Sequence, residues 1–316
     1  MVTQSADARY LTGRHEIRTL HAGLAGRKLR ERAIELTLFL CALFSVAITL
    51  GIVWVLLYES WHFFEKVSLV DFLTDTQWTV LFENPRYGIL PLVTGTLVTS
   101  GIALLVALPL GTTIAIYLSE YASSTLREIL KPILELLSAV PTIVFGYFAL
   151  LFITPLLQRI LPELPGFNML SAGIVIGIMI IPYVSSLSED ALKAVPVDIR
   201  EGSYAMGATR LQTALRVLVP AAFSGIASAC VLGFSRAVGE TMVVAVAAGT
   251  QPNLTLNPME SAATITAYIV QVSLGDLPHG SIAYQSIFAA GFALMCMTLV
   301  FNIGGYLLRK RFREIY

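Results

Sequence analysis

From Leu36 to Tyr58 the chain runs without a single charged residue, and that run limits the folds open to it. A bilayer's hydrocarbon core takes roughly 20 apolar residues of helix. Five more apolar segments follow, at about 88–118, 133–156, 169–188, 219–248 and 284–308. Composition agrees: 56% of the residues are apolar and 13% charged, about half the roughly 25% that wets a soluble domain. This excludes a soluble enzyme and a disordered linker protein. A formal net charge of zero leaves no basic excess for nucleic acid. The pattern predicts an all-α polytopic protein with six transmembrane helices, its outer surface covered by membrane lipid.

The second segment, at 88–118, is too long for one straight crossing, since about thirty residues at ~1.5 Å each exceed a core ~30 Å thick. It is expected to break or tilt near Pro91, or near Pro109 and Gly111, because proline removes a helix hydrogen bond. The third segment carries Glu135 and is interrupted by Pro141; the fourth carries Pro182. Orientation follows from the basic residues. Of 21 Lys and Arg, only Lys66, Arg86, Arg159 and Arg236 lie outside the first 33 residues, the 119–132 and 189–218 connections and the tail. Six helices with both termini in the cytoplasm explain that bias. The first 33 residues do not read as a cleavable signal, because the basic region is long and the following run is of spanning length. Ile17, Leu20 and Leu24 stand at helical spacing there, which suits either a helix on the inner leaflet or a disordered arm. The outer 59–87 stretch is rich in Trp and Phe, as suits an interface.

Catalytic machinery is missing from the pattern. No GxxxxGK[ST] phosphate loop occurs, nor HExxH, and His15, His21, His62 and His279 are scattered near the N-terminus and in outer connections. Cys41, Cys230 and Cys296 share no spacing and read as small hydrophobes. Gly173 and Gly177 form a GxxxG whose ordinary meaning is close helix packing.

Two constellations carry information. The first precedes the fifth span. Pro196 suits a first helical position, and Asp198 and Glu201 fall early, where the helix dipole favours acids. Gly207 supplies a left-handed cap or bend, and Thr209 with Gln212 reads as a capping box. Leu211, Leu215 and Leu218 share one face, and Pro220 marks entry into the membrane. The result is a short helix-turn-helix, in its plainest reading an amphipathic connector. The second is Gly233 to Met242, which places Arg236 and Glu240 inside a span. Each costs at least ~2.5 kcal/mol to insert. Four residues apart, they share a helix face. One reading is a buried ion pair that fixes helix packing. The other is a guanidinium in a wet path for an anion, held in place by Glu240.

The run Glu201…Gly207…Val217-Leu218-Val219-Pro220 resembles the EAA loop of ABC-importer permeases, departing from it at Gly202, Ser203, Val217 and Val219. That resemblance implies a type I ABC-importer (MetI-like) permease fold. It also implies that Glu201, Ala205, Met206, Gly207, Thr209 and Arg210 form a coupling helix docking on an ATPase subunit. The segment Gly233-Phe-Ser-Arg-Ala-Val-Gly-Glu-Thr-Met242 is similar to the GRALGETM element of phosphate-importer permeases of the PstC type, with further likeness over roughly 68–316. The chain then divides into a basic cytoplasmic arm at 1–33, a first helix with a periplasmic segment at 34–87, a permease core at 88–308 with its coupling loop at 189–218, and a cytoplasmic tail at 309–316. By the same resemblance, Arg236, Glu240, Ser235 and Thr241 line the substrate path. The chain is a transport subunit rather than an enzyme, with no cofactor of its own. The partners implied are a PstA-type second permease, two PstB-type ATPases holding ATP and Mg, and a periplasmic PstS-type phosphate-binding protein. Alternatives are a permease of this fold for another oxyanion or phosphonate, and a standalone ion-coupled carrier or channel.

Overall fold

The computed structural model describes residues 4–80, 82, 84–275, 277–278 and 280–311, with the side chains of 4–29 and 308 outside the described set. The expectation for Ile17, Leu20 and Leu24 therefore concerns side chains outside the described residues. Contacts divide the chain into Met1–Leu57 and Tyr58–Tyr316. Helix α1, Gln4–Phe64, runs without interruption through the boundary drawn at residue 33. A short α2, Leu69–Thr74, follows, and Trp78 pairs with Tyr87 in an isolated antiparallel bridge.

The core of the second unit is helical. Helix α3, Leu90–Ile116, continues as a π-helical turn at Tyr117–Tyr121. The break expected in it is absent: Pro91 sits in the first turn, where its missing N–H has no partner to lose, and Pro109 lies inside an unbroken helix. Thr112 and Thr113 donate their hydroxyls to the carbonyls of Leu108 and Pro109 around that position. Next come α4, Ser124–Ala139, and α5, Thr142–Phe148, with a π turn at Ala149–Ile153 and α6, Thr154–Gln158. At Pro141 the α4 and α5–α6 segments bend by 86°, so the expected span at 133–156 is two arms and not one rod. Helix α7, Met169–Lys193, passes through Pro182 and runs five residues beyond the predicted end.

Helices α8, Val197–Ala205, and α9, Arg210–Thr213, form the predicted helix-turn-helix. A π turn at Ala214–Leu218 and α10, Val219–Ala221, then bend by 73° into α11, Phe223–Val238. The chain continues as α12, Met242–Ala247, α13, Ile265–Ser273, and α14, Ile282–Arg311. The expected fifth span at 219–248 is thus shorter, ending at Val238. Among the described residues, four helices are long and apolar enough to cross a membrane, or up to six if each bent pair is one span.

Helices α3 and α7 form the spine. A Cβ at Gly173 would come within 2.7 Å of Ile102, and one at Gly177 within 2.7 Å of Val106 and 2.8 Å of the Ala103 carbonyl. The GxxxG is therefore a packing device that brings two backbones together. The cluster around Val175, Ile176, Ile180 and Val184 is buried on that contact, with Val243 and Val244 of α12. A second cluster gathers Phe63, Phe72, Trp78, Ile265 and Tyr268. Part of the aromatic 59–87 stretch is thus core: Phe63 meets Phe72 and Tyr87 edge to face, and Trp78 meets Tyr268 with ring centroids 5.0 Å apart. Trp61 and Phe82 remain exposed, as an interfacial reading expects.

Candidate functional site

Helix α4 has two faces. Leu126, Ile129, Leu130, Ile133, Leu134 and Leu137 fall among the apolar positions of its 3.6-residue repeat, and Arg127, Lys131, Glu135 and Ser138 make the polar stripe. That stripe meets the stretch of α7 from Met179 to Glu189 across a cavity of about 350 Å³. Arg236 of α11 lines the same cavity, with Lys131, Glu135, Ser138, Ser185, Ser186 and Glu189. Its side chain is exposed, and it makes no ion pair or hydrogen bond among the described residues.

Of the four residues expected on the path, the structure brings only Arg236 to this cavity. The pairing with Glu240 does not form. Helix α11 stops at Val238 with Gly239 as its cap, so the four-residue spacing no longer defines one helix face. Glu240 instead accepts the N–H groups of Met242 and Val243 at 3.2 and 3.4 Å, satisfying donors that the start of α12 leaves open. Its backbone carbonyl accepts the Thr266 hydroxyl at 2.7 Å. Ser235 donates to Asn302 of α14 at 3.1 Å, and Thr241 stands at the N-cap position of α12 but donates its hydroxyl back to the Gly239 carbonyl at 3.2 Å. Gly233 faces Val184 and Ile180 of α7, and so serves helix contact.

Sequence reasoning missed the ionic cluster at one end of the cavity. Glu189, fully buried, lies 3.2 Å from Lys131 and 3.5 Å from Arg127, both on α4, and Lys193, one turn on along α7, closes the group. The signal was present: Glu preceding Lys by four residues is the favoured order on a helix. A fourth span ending at residue 188 puts Glu189 in a connection, whereas α7 carries it to Lys193.

The second constellation of interest sits beyond α7. Gly207 takes φ +80°, with Gly207 N–H bonded to the Tyr204 carbonyl and Ala208 N–H to that of Ser203, a Schellman closure. Thr209 and Gln212 form the reciprocal capping box. Pro196 is the cap itself and not the first helical residue, and Asp198, but not Glu201, lies in the first turn. Leu211 and Leu215 are exposed whereas Leu218 is buried, because the π turn rotates the face between them. Ser203, where the EAA pattern has alanine, shares a 2.9 Å hydrogen bond with Thr213 and ties the two helices together. Ala205, Met206, Gly207, Thr209 and Arg210 are exposed at the tip, Met206 at 88%.

This unit is anchored to the end of α3. Arg200 lies 3.0 Å from Glu120, whose side chain is 3% exposed. Ser119 donates to the same carboxylate at 3.0 Å, and the Tyr204 hydroxyl stands 3.4 Å from its other oxygen. Burial, and Glu120 beside it, push the Tyr204 hydroxyl above its ordinary value. Neither Glu120 nor Arg200 stood out in the sequence, because eighty residues separate them.

Comparison with known proteins places these features in context. Residues 107–314 match the family model described as "binding-protein-dependent transport system inner membrane component". The chain is 34% identical to a probable ABC transporter permease protein, YqgH, of Bacillus subtilis, over 87% of this chain and 89% of that protein. It is 32% identical to the phosphate transport system permease protein PstC of Xylella fastidiosa, over 86% and 90%. Among solved structures, a bacterial ABC transporter that imports the acidic polysaccharide alginate aligns with a TM-score of 0.59 at 18% identity, over 86% of this chain and 96% of that one. That last likeness speaks to the fold alone.

Proposed function

The chain belongs to the binding-protein-dependent transport system inner membrane component family, and on that premise we propose that its polar cavity carries inorganic phosphate with Arg236 as the receiving group. It is a multi-pass permease subunit of an ABC importer in the bacterial inner membrane, with a MetI-like fold and no enzymatic role. Permeases of this kind work with an ATPase and a periplasmic binding protein. In the finer reading, the partners are a PstA-type permease, two PstB-type ATPases that hold the ATP and Mg, and a PstS-type binding protein.

One observation supports this reading: a guanidinium with no ion pair or hydrogen bond among the described residues lines a cavity that carries Lys131, Glu135, Ser138, Ser185 and Ser186, in a chain similar to PstC proteins over most of its length. Phosphate is charged at neutral pH and will not enter hydrocarbon, so it needs polar walls. The guanidinium fork offers two parallel hydrogen bonds to a tetrahedral oxyanion. From Met179 to Glu189 the α7 wall is eleven residues long, or ~15 Å, a length along which Ser185 and Ser186 supply further polar contacts. The α8–α9 unit supplies the coupling contact, with Ala205, Met206, Gly207, Thr209 and Arg210 presented to the ATPase. Glu201 stands exposed on the α8 helix beside them. Motion of the ATPases then reaches α3 through the Arg200–Glu120 contact and switches access as rigid bodies.

The test is phosphate uptake by the assembled transporter in vesicles, wild type against Arg236→Gln, with sulfate and phosphonates as competitors. Loss of uptake in a variant that still assembles is expected. Normal uptake in Arg236→Gln removes the residue from the path, and stronger competition by another oxyanion reassigns the substrate. Transport by this chain without an ATPase would turn the reading toward a standalone carrier.

A further inference from the structure

Lys131 shares the cavity wall with Arg236, yet its ammonium is engaged elsewhere, 3.2 Å from Glu189 Oε2 and 3.5 Å from Asp190 Oδ1. Glu189 is held at the same time by Arg127 and Lys193. Three cations around one buried carboxylate are more than neutrality requires. A buried carboxylate stripped of every partner is strongly unfavourable, but one that keeps two remains compensated. Of the three, only Lys131 also lines the cavity. Arg127 is fixed by two short hydrogen bonds to the Leu118 carbonyl, at 2.8 and 2.6 Å, and Lys193 belongs to the same helix as Glu189. Lys131, on a flexible four-carbon stem, is the member that is free to change partners.

Resting on the reading of the cavity as an anion route, we infer that Lys131 is a second, exchangeable phosphate subsite. It leaves Glu189 to Arg127 and Lys193 when an anion moves on from Arg236, and it returns to Glu189 as the anion departs. No covalent step is involved, only a change of counter-ion at one ammonium. Glu135, one turn along α4 on the same wall, opposes a long stay by like-charge repulsion.

The experiment uses the assembled transporter with Cys41, Cys230 and Cys296 replaced by alanine and a reporter, Ser186→Cys, on the cavity wall. The rate of reaction with a thiol reagent is measured against potassium phosphate, with chloride at matched ionic strength as reference. Phosphate is expected to slow labelling. Lys131→Gln should raise the half-protecting phosphate concentration by about 10-fold, the loss of roughly one charge-assisted contact. Lys131→Arg should restore it. Lys193→Gln leaves Glu189 with Arg127 alone once Lys131 departs, but keeps the cavity-wall ammonium, so it should raise that concentration by clearly less than Lys131→Gln. Unaltered protection in Lys131→Gln overturns the subsite, as does equal loss in Lys131→Gln and Lys193→Gln, which marks a structural role. Protection lost in Arg236→Gln and kept in Lys131→Gln overturns the subsite alone; a parent reporter with no protection overturns the route and the subsite together. If Lys131→Gln does not assemble, the Glu189→Gln chain is compared with and without Lys131→Gln, since no buried charge is then left unpaired.

Discussion

The turn around Gly207 and the segment around Glu240 carry equally clear patterns in the sequence, and the fold uses only the first as the pattern predicts. At Gly207 every signal was local: a glycine for a left-handed residue, and a threonine and a glutamine three apart for a capping box. Each is satisfied by backbone within a few residues. An ion pair at Glu240 requires one helix to continue from Arg236. It ends at Val238, and the carboxylate turns to the N–H groups of Met242 and Val243. A cap is decided by its own turn, whereas a side-chain pair on a helix face depends on the helix persisting. Buried N–H groups at a fresh helix start attract a carboxylate as surely as a guanidinium does.

The comparison can be broken most forcefully at the anchor of the coupling unit. Arg200→Gln leaves the buried Glu120 carboxylate without its cation, at a cost on the order of 3 kcal/mol. ATPase stimulation and uptake should fall together while α8 and α9 keep their own caps; intact coupling would show that α3 is not the receiver of the motion. Next in size is Gly207→Val. A β-branched residue at φ +80° is strained by about 1–2 kcal/mol, although the site has open space around it. Weaker co-purification of the ATPase is expected, and undiminished recovery would discard the docking assignment.

A third test separates cap from ion pair at Glu240. Glu240→Ala removes the acceptor and should lower thermal stability of the complex by about 1 kcal/mol, whereas Glu240→Gln keeps an accepting oxygen and should lose less. Equal losses would return Glu240 to a charge role. The smallest effect is a gain. A Cβ at Gly202 meets nothing within 4 Å, so Gly202→Ala should stabilise α8 by about 0.5–1 kcal/mol. Uptake should stay as it is, and a loss of uptake would mean that the ATPase closes tightly against that glycine.

Much of this protein was legible from one-dimensional pattern. Apolar length dictated membrane helices, because hydrocarbon leaves backbone groups no partner but each other. Glycine and capping chemistry dictated the coupling turn, because those hydrogen bonds close within a single loop. What only the tertiary structure decided was where charges meet. The meeting of Lys131 with Glu189, the anchoring of Arg200 on Glu120, and the place of Arg236 on the cavity wall each depend on helices distant in sequence. The bends at Pro141 and Ala222 belong to the same class: hydropathy sums along a segment and is blind to its direction, while the direction is set by what the segment packs against.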